Sequence, residues 1–373
     1  MEKVRKKLLE INKDPVLLVA FAVAVLSMVF VPPSRNYLDY IDFHVLSLLF
    51  SMMLVVAGLQ KAGVFECIVD YLLKYVHNTR VLAFVLIGVC FFCSMLITND
   101  VALITFVPLG MLALAQTKQQ KLLLPIVILQ TVAANLGSMF TPLGNPQNLY
   151  LYSVSEMTMM QFLRIMAMPS IFSFILLTVC LLFIHSEKIQ PSVDTKEKTE
   201  WCKLIPWCVM FIVCLLSVLR LIPYGIALMA VIAGVIICDR KILFSVDYGL
   251  LLTFVFLFIF IGNMKNIPSI SNALSALVGG REIVAGILLS QVISNVPAAM
   301  LLSKFTMNYS ALLIGVNLGG LGTLIASMAS VISYKLYASA NGAQTGKYLA
   351  AFTGVNVLFL GILCSAMGLL ASM

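Results

Sequence analysis

Apolar stretches follow one another along almost the whole chain, parted only by short polar segments. A helix crosses the hydrocarbon core of a bilayer in about 20 residues, so the pattern predicts spans near 15–32, 41–58, 122–154, 163–184, 205–220, 223–238, 246–262, 310–338 and 348–370. Two of them, 122–154 and 310–338, are broken by clusters of Gly and Asn, with Pro in the first. Two further segments, 81–117 and 282–308, are each split by a polar tip, at Ile97-Thr98-Asn99-Asp100 and at Ser294-Asn295. Their arms, about 15 residues in the first, are short for full spans, and each split segment reads as a re-entrant hairpin returning to its own side. Hydropathy alone leaves two short complete spans open; the polar tip favours the hairpin. The stretches after Lys61 and Lys265 mix apolar with polar residues and read as interfacial helices.

The two halves match in three places, in the same order. Ile41-Asp42-Phe43, Gly58 and Lys61 face Val246-Asp247-Tyr248, Gly262 and Lys265. Thr98-Asn99-Asp100-Val101-Ala102 faces Ser294-Asn295-Val296-Pro297-Ala298, and Asn135-Leu136-Gly137 faces Asn317-Leu318-Gly319 with Thr141 opposite Thr323. An odd number of crossings separates the span at 41 from its counterpart at 246, so the repeats are expected to run in opposite directions. The predicted organisation is repeat 1 over 1–184, a cytoplasmic linker over 185–203 and repeat 2 over 204–373. Inverted repeats with spans interrupted at equivalent positions are the architecture of secondary transporters, which bind their cargo at the interruptions.

Composition narrows the class. Of 373 residues, 61% are hydrophobic and 11% charged, against roughly 25% charged in a soluble domain. A soluble globule is excluded; the fold class is an all-α polytopic membrane protein of about nine transmembrane helices plus two re-entrant hairpins. The basic start (Lys3, Arg5, Lys6, Lys7, Lys13) before Val16–Val31 resembles a signal peptide, but no small-residue cleavage site follows, and a retained first helix is expected. The net charge of +8 comes from basic residues scattered at helix ends, which argues for topology rather than a nucleic-acid partner. With the N-terminus cytoplasmic and the C-terminus outside, only Arg35, Arg164, Arg220, Lys265, Arg281 and Lys304 of the 24 Lys and Arg face outward, as in a plasma (inner) membrane protein. The nine cysteines show no metal-ligand spacing and read as small buried hydrophobes. No Ser/His/Asp set or metal cluster falls at membrane depth, so an enzyme is not expected.

Chemistry concentrates at the tips and the breaks. Asp100 is the only charged residue that this topology places deep in the membrane, where an acid is costly unless paired, hydrated or bound to a cation. It reads as a coupling-ion ligand or proton acceptor, or as the N-cap of a helix starting at Val101, and both roles can coexist. Asn99 and Asn295 offer amide donors and acceptors, and the free N–H groups of the outgoing half-helices can face an anion. In Asn135–Asn148, two prolines and two glycines force the span to unwind. Its freed carbonyls, with Asn135, Gly137, Thr141, Gly144, Asn145, Gln147 and Asn148, become candidate ligands. Asn317, Gly319, Thr323 and Ser327 are the counterparts in the second break, alongside Thr98 and Ser294 at the tips. Two broken spans and two polar tips suit a small anion moved with a coupling cation, without any organic cofactor. A passive channel lined by the same hairpins is the alternative from a different class.

At these residues the sequence resembles the ion transporter superfamily, in its citrate-transporter-like group of divalent-anion/sodium symporters, arsenical-pump permeases and NhaD-type antiporters. The resemblance runs from about 15 to 370 and rests on Thr98-Asn99-Asp100, Ser294-Asn295 and Thr141-Pro142-Leu143-Gly144-Asn145-Pro146-Gln147-Asn148. It implies an elevator: a dimerising scaffold, hence a homodimer in membrane lipid, and a transport unit holding both hairpins and both broken spans. It also implies that Asn99 with Asn135 to Asn145 forms one binding cluster, and Ser294, Asn295 and Asn317 to Ser327 the other. Na⁺ is then expected at Asn99, Asp100, Asn145 and Asn295, with Asp100 the group for H⁺ coupling. The tips depart from the symporters' Ser-Asn-Thr triplet: the first reads Thr-Asn-Asp, as in the arsenical-pump and antiporter branch, and the second Ser-Asn-Val. Arsenite efflux and Na⁺/H⁺ exchange are therefore rival activities within the class.

Overall fold

The computed structural model describes residues 15–35, 37–189, 201–340, 342–366 and 368. The basic N-terminal stretch and residues 190–200 of the expected linker lie outside them. The first half gives α1 (Pro15–Ser27), α2 (Phe43–Lys61), α3 (Val64–Leu73), α4 (Thr79–Cys93), α5 (Asn99–Gln116), α6 (Leu123–Ser138), α7 (Pro146–Val154) and α8 (Met159–Leu182). After α9 (Trp201–Val218), the second half gives α10 (Tyr224–Asp239), α11 (Tyr248–Lys265), α12 (Pro268–Val278), α13 (Glu282–Ile293), α14 (Asn295–Leu302), α15 (Tyr309–Leu318), α16 (Met328–Ala338) and α17 (Thr345–Ala366). The order α1–α8 thus recurs as α10–α17, with α9 between. Among the described residues, β pairing is confined to an isolated bridge between Asn78 and Lys188.

Helices α2, α5, α8, α11, α17 and the stretch Gln120–Ser138 are long and apolar enough to cross a membrane, and the chain is a multi-pass membrane protein. The local chemistry behind the elements is legible. Asp42 and Asp247, a matched pair in the two halves, are both N-caps, accepting from Val45 N at 3.0 Å and Leu250 N at 3.1 Å. Thr158 and Gln161 form a capping box at the start of α8. Each interrupted span is two half-helices: α6 and α7 flank residues 139–145, and α15 and α16 flank 319–327. The arms of the first hairpin are 15 and 18 residues long, the second longer than expected and containing Pro108. Cys90, Cys214 and Cys364 are buried, as expected of small hydrophobes, but Cys208 and Cys238 are exposed.

The helices gather into two compact units, and each takes elements from both halves of the chain. The first comprises 1–62, 200–279 and 300–307. In it, Gly58 lies so close against Trp207 that a Cβ would overlap the indole, and Gly262 meets Tyr40 in the same way. Asn263 Nδ2 donates to Ser27 Oγ at 2.8 Å and to Tyr37 OH at 3.0 Å, and Lys61 pairs with Asp239.

The second unit comprises 63–199, 280–299 and 308–373, and so contains α3–α8, α13 and α15–α17. Both ends of the first hairpin are fastened beside the end of α8. Thr79 N donates to Glu187 O at 3.0 Å, Glu187 N to Thr79 Oγ1 at 2.9 Å, and Gln119 Nε2 to Glu187 Oε2 at 2.9 Å; Lys121 pairs with the same carboxylate. With 24 residues, α8 is about 36 Å long, so its start lies at the opposite end, and α6 and α7 together carry the chain there. The hairpin tip stops where those two half-helices join, since Asn99 N donates to Gly144 O at 3.1 Å.

Candidate functional site

Every candidate binding residue named from the sequence lies in the second unit. Asn135, one turn before the end of α6, is the centre of the first cluster. Its Oδ1 accepts from Asn99 Nδ2 at 2.9 Å and from Ser327 Oγ at 3.0 Å, while its Nδ2 donates to Ser330 Oγ at 3.1 Å. Asn317, its counterpart near the end of α15, donates from Nδ2 to Asn148 Oδ1 at 2.7 Å. Taking Asn135 with Asn317 and Thr141 with Thr323 as equivalent, Asn148 corresponds to Ser330. Each half-helix asparagine therefore reaches across to the same position in the second half-helix of the other broken span. The clusters interlock: Ser327, expected with Ser294 and Asn295, also bonds Asn135.

These contacts fix directions. Asn135 bonds Ser327 and Ser330, and Thr131 Oγ1 lies 2.5 Å from Ser333 Oγ. Residue numbers fall along α6 as they rise along α16, so the two half-helices run antiparallel.

Small residues permit this closeness. A Cβ at Gly137 would overlap Phe91 O on the first hairpin arm, and one at Gly319 would lie 2.9 Å from Gly286 O and 2.7 Å from Ser290 Oγ on the other. A Cβ at Gly144 would overlap Ser138 O. The tips are held by matched tethers: Thr141 Oγ1 donates to Met95 O, and Thr323 Oγ1 to Gln291 O at 3.2 Å. Both threonine hydroxyls are thus engaged with hairpin backbone. At the second tip Ser294 has φ +73°, a conformation favouring glycine, and its hydroxyl lies 3.4 Å from Ala326 O. Backbone strain of this kind gathers at functional sites. The Asn295 amide packs over Gly320.

Three half-helices, α5, α7 and α16, begin at this place, with Thr98, Asn145 and Ser327 at their N-caps. None of the three side chains caps its own helix. The first N–H groups of a helix have no partner inside it and carry partial positive charge. Ser327 turns instead to Asn135, and Asn145, 2% exposed, leaves its Oδ1 buried without a partner. Asn317 Oδ1 and Gln147 Nε2 are likewise buried and unpaired. Buried polar atoms without partners are uncommon and mark places where a ligand or water belongs. The site thus offers carbonyl-type oxygens for a cation and helix N-termini for an anion. Asp100 is not the N-cap that one reading made it: the helix begins one residue earlier, at Asn99, and Asp100 falls in its first turn, where its N–H donates to Asn99 Oδ1 at 2.9 Å.

Sequence reading missed Ser330, Gln291 and the buried hydroxyl group Thr131, Ser333 and Tyr348, in which Ser333 Oγ lies 3.4 Å from Tyr348 OH. Ser330 was findable by carrying the match of the breaks three residues beyond Ser327.

Residues 6–316 match the model of the citrate transporter family. An uncharacterized transporter of Methanocaldococcus jannaschii is 36% identical over 75% of this chain and 77% of its own length. The inner membrane protein YbiR of Escherichia coli is 29% identical over 82% of this chain and 83% of its own length. A silicon efflux transporter of Oryza sativa is 33% identical over a shorter stretch, 33% of this chain and 25% of its own length.

Proposed function

We propose that this chain, which belongs to the citrate transporter family, is a secondary active transporter that moves a small anion, a carboxylate or inorganic oxyanion, together with Na⁺ or H⁺. One observation supports this reading above the others: three half-helix N-termini meet buried, unpaired amide oxygens of Asn145 and Asn317 in one place. Unwound backbone at membrane depth persists where it is buried in protein or lines a wet cavity, and mixed anion and cation sites at such breaks are how secondary transporters bind their cargo. The antiparallel course of α6 and α16, and the exchange of bonds between the two breaks, support repeats of opposite orientation. An elevator, in which the second unit carries the site across the membrane, accommodates the gathering of every site residue in that unit. The orientation bias of Lys and Arg supports a cytoplasmic N-terminus in the plasma membrane, and a homodimer fits the scaffold role of the first unit.

A second reading, efflux of an uncharged or weakly charged oxyacid such as arsenite, is favoured by the chemistry of the donors. None of the gathered residues is Lys or Arg, so a multiply charged anion has only amides, N-termini and a bound cation to balance it. The silicon efflux transporter among the relatives points the same way.

Thermal stability of the purified protein, recorded with carboxylates, sulfate, phosphate and arsenite, with and without Na⁺ at two pH values, tests both readings. A ligand of the folded state raises the apparent melting temperature by mass action. Stabilisation by one anion only with Na⁺ supports symport; stabilisation by arsenite without Na⁺ supports the second reading. Stabilisation by Na⁺ or pH alone, with no anion effect, replaces both with cation/proton exchange. Asp100→Asn is expected to abolish pH-dependent coupling in proteoliposomes, and an unchanged pH profile removes Asp100 from that role. Saturable counter-flow in the same vesicles separates a carrier from a passive pore.

A further inference from the structure

An unwound span frees carbonyl and amide groups that have to find partners at membrane depth, and the two breaks solve this differently. In the first, Asn148 Nδ2 lies 3.1 to 3.3 Å from the carbonyl oxygens of Ser138, Met139 and Thr141. The amide that closes the break belongs to α7, part of the same broken helix. In the second, the corresponding residue is Ser330, a shorter side chain whose hydroxyl accepts from Asn135. There the closing amide comes from the hairpin. Gln291 Nε2 donates to Gly319 O and Leu321 O, both at 2.9 Å, and its Oε1 accepts from Thr323 N at 2.9 Å. Gly322, at φ +112°, has no Cβ where one would overlap Gln291 Oε1, so the loop admits the amide only because glycine stands there. Leu321 is the counterpart of Met139, so equivalent carbonyls are served by different elements. At the place of Gln291 the first hairpin has Met95, whose thioether cannot donate.

We propose that Gln291 is a positioning residue that makes the second half of the site conditional: the break at 319–327 keeps its binding shape only while the second hairpin is docked, whereas in the break at 139–145 the carbonyls of Ser138, Met139 and Thr141 are closed from within the same span, by Asn148. The inference rests on reading the breaks as the two halves of a binding site. Undocking the hairpin strips partners from two carbonyls and one amide at once, so hairpin and break move as one body or the break refolds. A ligand held by this break then stabilises the docked hairpin, and docking raises the affinity for that ligand by the same factor.

Hydrogen exchange of the purified full chain, without added ligand, tests this in peptides covering 139–145 and 319–326. Gln291→Leu is expected to speed exchange in 319–326 by at least about tenfold, as loss of buried partners requires, and to leave 139–145 at the wild-type rate. Gln291→Leu combined with Ser330→Asn rebuilds in the second break the arrangement of the first and is expected to restore protection. A merely space-filling role predicts no such rescue. Gln291→Glu, which keeps the acceptor for Thr323 N but loses the amide donors, is expected to fall between wild type and Gln291→Leu, and decides the matter where the leucine variant does not fold. Wild-type exchange in 319–326 in both Gln291→Leu and Gln291→Glu, equal loss in both breaks, or no rescue by Ser330→Asn overturns the proposal. No substrate enters this readout, so its failure leaves the transport reading standing, and an empty ligand panel leaves this one standing.

Discussion

Asn135 serves three side chains from two elements: Asn99 at the first hairpin tip, and Ser327 and Ser330 at and just inside the start of α16. Asn135→Ala leaves Asn99 Nδ2 and Ser327 Oγ with their acceptor gone, at about 1–3 kcal/mol for each buried donor that finds no other. The expected outcome is a lower apparent melting temperature together with loss of the ligand-induced rise at saturating Na⁺. Asn135→Asp, which keeps an acceptor for both donors, is expected to lose less stability, as thermal scans of the two variants can check. At this scale the sequence was informative where a polar group is out of place. Asn99, Asn135, Asn317 and Ser327 stand in otherwise apolar runs or beside glycine and were found for that reason. Ser330, Thr131 and Ser333 escaped notice because single hydroxyls are ordinary in membrane helices, where they bond to backbone or glue helices together. Gln291 escaped because its role depends on a loop 28 to 32 residues further on, a distance no local pattern reports.

Among the elements, the first hairpin is anchored at both ends of its base. Thr79 at the start of α4 and Gln119 and Lys121 beyond α5 all meet Glu187, so one residue fastens both ends to the segment after α8. The Lys121 ammonium and the Gln119 amide hold the half-buried Glu187 carboxyl below its ordinary titration range. A depressed carboxyl stabilises the folded state fully above its unfolded titration range, and that contribution fades as pH falls through the folded value. Wild type is therefore expected to melt above Glu187→Gln at neutral pH, with the gap closing in acid; a gap that is constant down to pH 3 removes the carboxylate as its source. The two breaks were legible as elements because proline and glycine cannot continue a bonded helix. The length of α5 was not: its second arm extends beyond the expected 15 or so residues, through Pro108, because packing rather than hydropathy decides where such an arm ends.

The repeat is visible in the order of motifs, but the way the halves combine is not. Each compact unit draws on both, and the second unit depends on bonds from Asn135 to Ser330 and from Asn317 to Asn148 that no local periodicity encodes. Residues 1–199 expressed alone are accordingly expected to be unstable in detergent, and co-expression with 200–373 to restore a monodisperse, cooperatively melting species; a first half that melts cooperatively alone contradicts the interlocked arrangement. The single acid at the first tip has a further consequence, an electrical one. Of the residues gathered at the site, Asp100 alone bears a formal charge. In the proposed carrier, an empty site that moves with a net negative charge gains or loses about 2.3 kcal/mol per 100 mV over the full membrane voltage. An inside-negative potential pushes that empty site outward, and leaves it indifferent once a proton or one Na⁺ has neutralised it. The energised membrane would then choose which side the unloaded protein faces at rest, before any cargo arrives.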